Sequence, residues 1–197
     1  MVALGFANEE KLLLKDGLAL GDWLVLTKPL GFGVTTTALK QEKAPPEDVE
    51  KVVTWMKKLN RDAADLAKTF ELQAATDITG FGFLGHAWEM AAGAGLDLRI
   101  RFEDVPFISC AQKHAKAWCF PGGAADIKLY YSAFISLDSA ITEENQMLLF
   151  DPQTSSGLLL GVPEKKISSF MAEAKRINQP AWVVGEVIPG NKIEVHR

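Results

Sequence analysis

Residues 75–86 read ATDITGFGFLGH, with glycines at positions 80, 82 and 85. The spacing is Gly-x-Gly-x-x-Gly, and its reading decides the fold. A dinucleotide-binding turn needs a buried apolar strand running straight into the first glycine, followed by a helix whose N-terminus holds a pyrophosphate. The residues ahead of Gly80 are ELQAATDIT, with little β-branching and a carboxylate, Asp77, three positions before the glycine. That carboxylate would repel a pyrophosphate unless a cation lay between them. Glu103 and Asp104 do supply an acid after the strand-like segment 96–102, but that match is coincidental. The dinucleotide reading is set aside.

The misfit suits a different chemistry. Asp77 precedes a segment expected to be helical from about Phe83 to Met90, and Thr79, Gly80 and Gly82 are small enough to let a ligand approach the backbone. Magnesium takes one or two carboxylates plus phosphate oxygens rather than a full protein cage. One aspartate beside a helix N-terminus therefore fits a magnesium-bridged polyphosphate. By spacing alone, Asp77 can equally cap the helix or satisfy a turn.

Outward from this stretch, the chain alternates strand and helix patterns. DWLVLT (22–27) is an apolar strand stopped by Pro29 and Gly31, and VTTTALK after it is helical. Pro45 and Pro46 with Glu47 and Asp48 start a helix, since proline suits the first turn and carboxylates complement the dipole. Val49, Val52, Val53, Met56 and Leu59 then recur at helical spacing. Asn60 is placed to cap a second helix carrying Ala63, Leu66, Ala67 and Phe70 on one face. LDLRIRF (96–102) alternates, with Leu96, Leu98, Ile100 and Phe102 inward and Asp97, Arg99 and Arg101 outward. ISCAQKHAKAWCF is helical up to Pro121-Gly122-Gly123. GLLLGV (157–162) is a wholly apolar strand of the kind found inside a covered sheet. Pro163 and Glu164 open another helix, and AWVVGEV and KIEVH form two strands around the turn signal IPGN. The expected class is α+β (α/β layered), a mixed β-sheet covered by helices. Residues 1–17 read as a connecting arm and 18–197 as the folded domain.

Composition narrows the function classes. Of 197 residues 48% are hydrophobic and 23% charged, which is ordinary for a globular chain. The net charge of −4 and the lack of a Lys/Arg cluster predict no nucleic acid and no membrane partner. The five tryptophans are scattered rather than set out as a stacking platform. MVALGFANEEKLLLKDG has no basic leader and does not read as a secretory signal. Cys110 and Cys119 stand nine apart with no C-x-x-C and no clustered histidines, so they are expected to be buried reduced thiols of a cytoplasmic protein, not zinc ligands.

Four stretches carry a family resemblance: LTKPLGFGV, ATDITGFGFLGHAWEM, PGG and LFDPQTSSGLLLGVP, in that order. Together they resemble the C-terminal half of selenophosphate synthetase (selenide, water dikinase), from about Leu18 onward. The wider superfamily, with aminoimidazole ribonucleotide synthetase and the hydrogenase-maturation and thiamin-phosphate kinases, shares the architecture but not this set of motifs. The resemblance implies an enzyme making selenophosphate from selenide, ATP and water, with AMP and orthophosphate released. It implies that Asp77 is a Mg²⁺ ligand; Thr79 and Gly80, as small loop residues, and Lys28, following the strand 22–27, are the candidates to approach the ATP phosphates. The remaining metal carboxylates, the catalytic lysine and the reactive cysteine or selenocysteine belong to the family's N-terminal half, so no catalytic residue is expected in this chain. The domain's partner is then its own N-terminal domain, residues 1–17 are the remnant of the link to it, and the full-length protein is a homodimer. Alone, the chain is expected to be inactive, because phosphoryl transfer needs several groups around the triphosphate. A sister ATP-using enzyme of the superfamily and a non-catalytic docking or assembly domain are the alternatives.

Two departures from the family pattern stand out: Ser156 where a glycine is usual, and Ala124 and Ile127 where Thr and Asn are usual after PGG. Other polar residues have plainer readings. Lys28 reads as a solvated strand-end lysine, Asp151 and Gln153 as bonding their own turn, and His86 as a packed or capping histidine one turn into its helix.

Overall fold

Leu24 and Leu26 belong to one apolar cluster and Val25 to another, so the first strand feeds opposite faces of one sheet. The computed structural model describes Gly5, Asn8 and residues 12–197; the leader reading and most of the 1–17 arm lie outside the described residues. The strands are β1 (Asp22–Leu26), β2 (Ala74–Asp77), β3 (Asp97–Arg101), β4 (Ile135–Leu137), β5 (Leu158–Pro163), β6 (Trp182–Ile188) and β7 (Ile193–His196). The helices are α1 (Phe32–Lys40), α2 (Pro46–Lys57), α3 (Arg61–Thr69), α4 (Gly82–Ala94), α5 (Ala111–Lys116), α6 (Gly123–Tyr131), α7 (Glu143–Leu149) and α8 (Glu164–Arg176).

The seven strands form one mixed sheet in the order β2-β5-β1-β6-β3-β7-β4. Pairing is antiparallel from β2 through β3 and parallel for β3–β7 and β7–β4. The layered α+β expectation holds. One face is covered by α4, whose Phe83, Leu84, Ala87, Met90 and Ala91 pack on Leu24, Leu98, Ile100 and Val184. The other face takes Leu66 and Ala67 of α3 and Phe170 and Ala174 of α8 against Val25, Leu160 and Val162. A third apolar cluster joins α1, α2, α5 and α7 through Phe32, Val52, Ala111 and Leu148.

Several elements depart from expectation. A strand, β2, does precede the glycines: AATD lacks β-branched weight, but pairing with the apolar β5 holds it at the sheet edge. The dinucleotide reading still fails, because α4 leads to β3, which three other strands separate from β2. The described part of the arm extends this edge, with Leu14 donating to Gln73 O at 2.8 Å and accepting from Ala75 N at 3.0 Å. The helix at 108–120 shrinks to α5, and Pro121-Gly122-Gly123 starts α6 as well as ending the segment before it. Leu59 lies beyond α2 and is 73% exposed rather than on its apolar stripe. Asp97 is buried, not outward: it accepts the Lys192 N–H, and Gly190 leaves room for the carboxylate that a Cβ there would strike. The last two strands flank the IPGN turn, yet β3 lies between them in the sheet.

Candidate functional site

Antiparallel pairing brings three chain segments to one end of the sheet. β1 ends at Leu26 opposite Leu159, β2 ends at Asp77 opposite Leu158, and β5 begins there. The segments leaving those points are 27–31, 78–81 and 151–157, which contain most of the motif residues.

The three segments interlock through backbone groups. Gln153 Oε1 accepts the N–H groups of Gly31 and Phe32 at 3.1 and 3.0 Å. Asp151 Oδ2 accepts Val34 N–H at 3.0 Å, and the Gln153 amide donates to the Asp151 carbonyl at 2.7 Å. These two side chains thus satisfy orphan donors at the N-terminus of α1, a longer-range role than bonding their own turn. Gln153 N–H donates to Thr79 O at 2.9 Å, and Ile78 N–H to Gly157 O at 3.0 Å. Thr27 Oγ1 accepts Leu158 N–H at 2.7 Å. Close packing requires the motif glycines: a Cβ on Gly33 would lie 2.2 Å from Pro152 O, and one on Gly157 would lie 2.5 Å from Lys28 N.

Lys28 is not a solvated strand end. It is buried, and its Nζ donates to Ser155 O at 2.8 Å and Lys58 O at 2.5 Å. Burial, with Lys58 nearby, lowers its pKa. Asn60 does not cap α3 with its side chain; it donates from Nδ2 to Ser156 O at 2.9 Å and so holds the same loop. Burial pushes the Asp151 carboxyl up to about 7, against the hydrogen bonds from Val34 and Gln153 that favour its ionised form.

In the 78–81 loop Ile78 is buried in the core, while Gly80 and Phe81 are exposed. Asp77 is exposed, and its carboxylate has no hydrogen-bonding or ionic partner among the described residues. It does not cap α4, whose N-cap position is Phe81 with no side-chain cap bond. Thr79 Oγ1 is 3.0 Å from His86 Nε2, while His86 Nδ1 is 2.9 Å from Glu89 Oε2. A glutamate only accepts, so Nδ1 carries the ring hydrogen and, in the neutral ring, Nε2 accepts the Thr79 O–H. The lone pairs of that hydroxyl are left for another group. His86 is thus the packed histidine its position predicts, and it also orients Thr79. Gly80 is exposed, and a Cβ placed there would meet nothing within 4 Å, so the protein's own packing does not demand a glycine.

The departures from the family pattern have local explanations. Ala124 is fully buried and Ile127 packs against the main core, so both serve packing. Ser156 is buried, and its hydroxyl has no hydrogen-bond partner among the described residues. Cys110 and Cys119 are free and buried, as expected. Spacing predicts no metal site at the cysteines, yet the fold brings Cys110 together with Asp48 and His114. No sequence signal marks that contact, which joins α2 to α5 and the residue just before it. No described helix is long and apolar enough to cross a membrane.

Comparison with known proteins accords with this geometry. The sequence model of the family described as AIR synthase related protein, C-terminal domain, matches residues 19–197. The selenide, water dikinase of Pelobacter propionicus is 42% identical over 185 residues, which cover 93% of this chain and 53% of that protein. The chain spans about half the length of such relatives. Among solved structures, the thiamine-monophosphate kinase of Stenotrophomonas maltophilia superposes with a TM-score of 0.70 at 14% identity, covering 96% of this chain and 54% of that one. The hydrogenase maturation protein HypE of E. coli superposes with a TM-score of 0.67 at 15% identity, covering 93% and 48%. These two show the shared fold.

Proposed function

The chain belongs to the family of AIR synthase related proteins, as a C-terminal domain, and on that premise we propose that it is the C-terminal half of an ATP-dependent selenophosphate synthetase. The reaction converts selenide, ATP and water to selenophosphate, AMP and orthophosphate. Support for the substrate comes from the selenide, water dikinases that match nearly the whole chain. The observation that carries the site is the Asp77 carboxylate, exposed at the end of β2 and without a partner of its own among the described residues.

In this reading Asp77 would hold a Mg²⁺ together with ATP, since Mg²⁺ is bound by few protein carboxylates and completes its shell with phosphate oxygens and water. Bound there, the ion would neutralise charge on the transferring phosphoryl group. Asp77 supplies one carboxylate, and the only group of three or more His, Cys, Asp or Glu ligands gathered among the described residues does not include it. The other ligands, and the nucleophile, are assigned to an N-terminal domain outside this chain. Thr79 offers its oriented hydroxyl, and Gly80 lets phosphate oxygens approach the backbone. Lys28 has used two of its three donors on carbonyls, leaving one N–H for a phosphate oxygen. Residues 1–17 link the two domains, and the full-length enzyme pairs as a homodimer in the cytoplasm.

The test is selenide-dependent AMP formation from ATP and Mg²⁺, by this chain alone and joined to its native N-terminal half, each with Asp77 and with Asp77→Asn. Activity confined to the full-length protein and lost in the variant supports the reading. Activity in the isolated chain would refute the assignment of the catalytic groups. An inactive full-length protein would point to another substrate within the family.

A further inference from the structure

Asp48, Cys110 and His114 are buried in the helical cluster of α1, α2, α5 and α7, and one ligating atom from each lies within 4.8 Å of the others. Cys110 immediately precedes α5 and His114 lies four residues on, a spacing that stacks two side chains on one helical face. Asp48 comes from the first turn of α2, behind Pro46. His114 Nε2 sits 3.0 Å from Asp48 Oδ2, and the Thr35 hydroxyl sits 3.7 Å from Cys110 Sγ. Apart from Thr35 and two lysines at the rim, Lys51 and Lys113, the neighbours are apolar, with Val52, Ala111 and Ala115 in the same cluster.

We propose that Asp48, Cys110 and His114 form a binding site for a borderline-soft divalent cation, with Zn²⁺ the best match. One thiolate, one imidazole and one carboxylate are ligand types that Zn²⁺ combines, and water completes a tetrahedron. The same set is wrong for Mg²⁺, which selects oxygen ligands, so this site is chemically distinct from the one proposed at Asp77. On binding, Cys110 releases its thiol proton to solvent and the sulfur becomes a thiolate ligand. His114 ligates through Nε2, which gives up the hydrogen it now shares with Asp48, and the neutral ring carries its hydrogen on Nδ1 by proton exchange with solvent. Asp48 carboxylate and Cys110 thiolate then balance the two positive charges of the ion, leaving a neutral cluster in an apolar setting.

Without a metal, the charge on Asp48 is met by Lys113 at 3.2 Å and Lys51 at 3.6 Å. Both lysines reach in from the surface, with side chains 62% and 49% exposed, so they mark the entry to the site and can turn into solvent as an ion enters. The ion takes the place of the hydrogen now shared between Nε2 and Oδ2.

Cobalt titration of the metal-free 197-residue chain tests this. One equivalent of Co²⁺ should bind with a sulfur-to-cobalt charge-transfer band, and Zn²⁺ but not excess Mg²⁺ should abolish that band. The band should vanish in Cys110→Ser and persist in Cys119→Ser. His114→Gln and Asp48→Asn should each weaken Zn²⁺ binding by more than the roughly 10–100-fold that loss of an outer-shell partner costs. No band in the unsubstituted chain overturns the proposal whatever the variants do. A band that survives Cys110→Ser, or one displaced by Mg²⁺, overturns it as well. Circular dichroism of each variant separates loss of a ligand from loss of the fold. None of these readouts depends on the selenophosphate assignment.

Discussion

The Asp151 carboxylate reaches across 117 positions of sequence to accept the backbone N–H of Val34 at 3.0 Å, and it is completely buried where it does so. A buried acid at a helix N-terminus feels two opposed effects. The helix N–H groups favour its charge, and the loss of water disfavours it. Burial wins here, raising the carboxyl to about 7.

That outcome fixes the sign of a pH dependence. A carboxyl with a raised folded-state pKa holds its proton in the fold when the unfolded chain has already lost it. The resulting stability is full below the unfolded carboxyl's pKa near 4 and is lost as pH rises through about 7. Thermal melts between pH 4 and 8 should show a falling stability, with a slope from this group of at most about 1.4 kcal/mol per pH unit. Asp151→Asn cannot ionise and should flatten that slope. An unchanged slope in the variant would assign the pH dependence to other groups.

Ser156 gives a prediction of the opposite kind, a substitution that helps. Its hydroxyl is buried without a partner among the described residues, a state that costs about 1–3 kcal/mol. Ser156→Ala removes the orphan oxygen and keeps the Cβ, and it should raise stability to chemical denaturation by about 1 kcal/mol. Ser156→Gly should gain less, because glycine adds backbone entropy to the unfolded chain. A loss of stability in the alanine variant would mean that the hydroxyl is satisfied in solution.

Much of this fold is legible where local pattern and tertiary context agree. Pro46 with Glu47 and Asp48 does begin α2, and the apolar run 157–162 does lie between two other strands. β2 is hard to read because Ala74, Ala75 and Asp77 have no strand propensity; its order comes from pairing with β5. The role of Gln153 is illegible for a similar reason, since it depends on a loop meeting a helix end 121 and 122 positions away. Lys28 reads as solvated because a lysine after a strand usually is, and only the fold shows two carbonyls converging on its Nζ. At Asp77 the sequence does not choose between cap and ligand. The exposed carboxylate, with no partner among the described residues, removes the capping alternative.

His86 should act on the reaction through Thr79. Its ring joins the Thr79 hydroxyl to Glu89, which Lys15 also contacts at 2.9 Å. His86→Phe retains an aromatic ring beside Phe81 but leaves the hydroxyl free to rotate. In the full-length protein it should reduce AMP formation by roughly 10–100-fold, the range for loss of an outer-shell orienting group. The Mg²⁺ concentration needed for half-maximal rate should rise with it, an effect that simple destabilisation would not produce. Equal rates at all Mg²⁺ concentrations would confine His86 to packing.

Gly80 and Gly82 should separate ligand approach from folding. Gly82 has φ +69°, and a Cβ on it would lie 2.7 Å from the Phe150 carbonyl carbon. Gly82→Ala combines left-handed strain with a backbone clash and should cost on the order of 2–3 kcal/mol, visible as a lower melting temperature in the isolated chain. Gly80 has neither a positive φ nor a neighbour within 4 Å. Gly80→Val should therefore stay within about 0.5 kcal/mol of the parent in stability while its branched side chain obstructs phosphate at the loop. In the full-length protein that variant should raise the KM for ATP and lower AMP formation without changing the melting temperature. If instead activity were untouched, Gly80 would be a surface glycine and the phosphate would have to approach the Asp77 loop from another side.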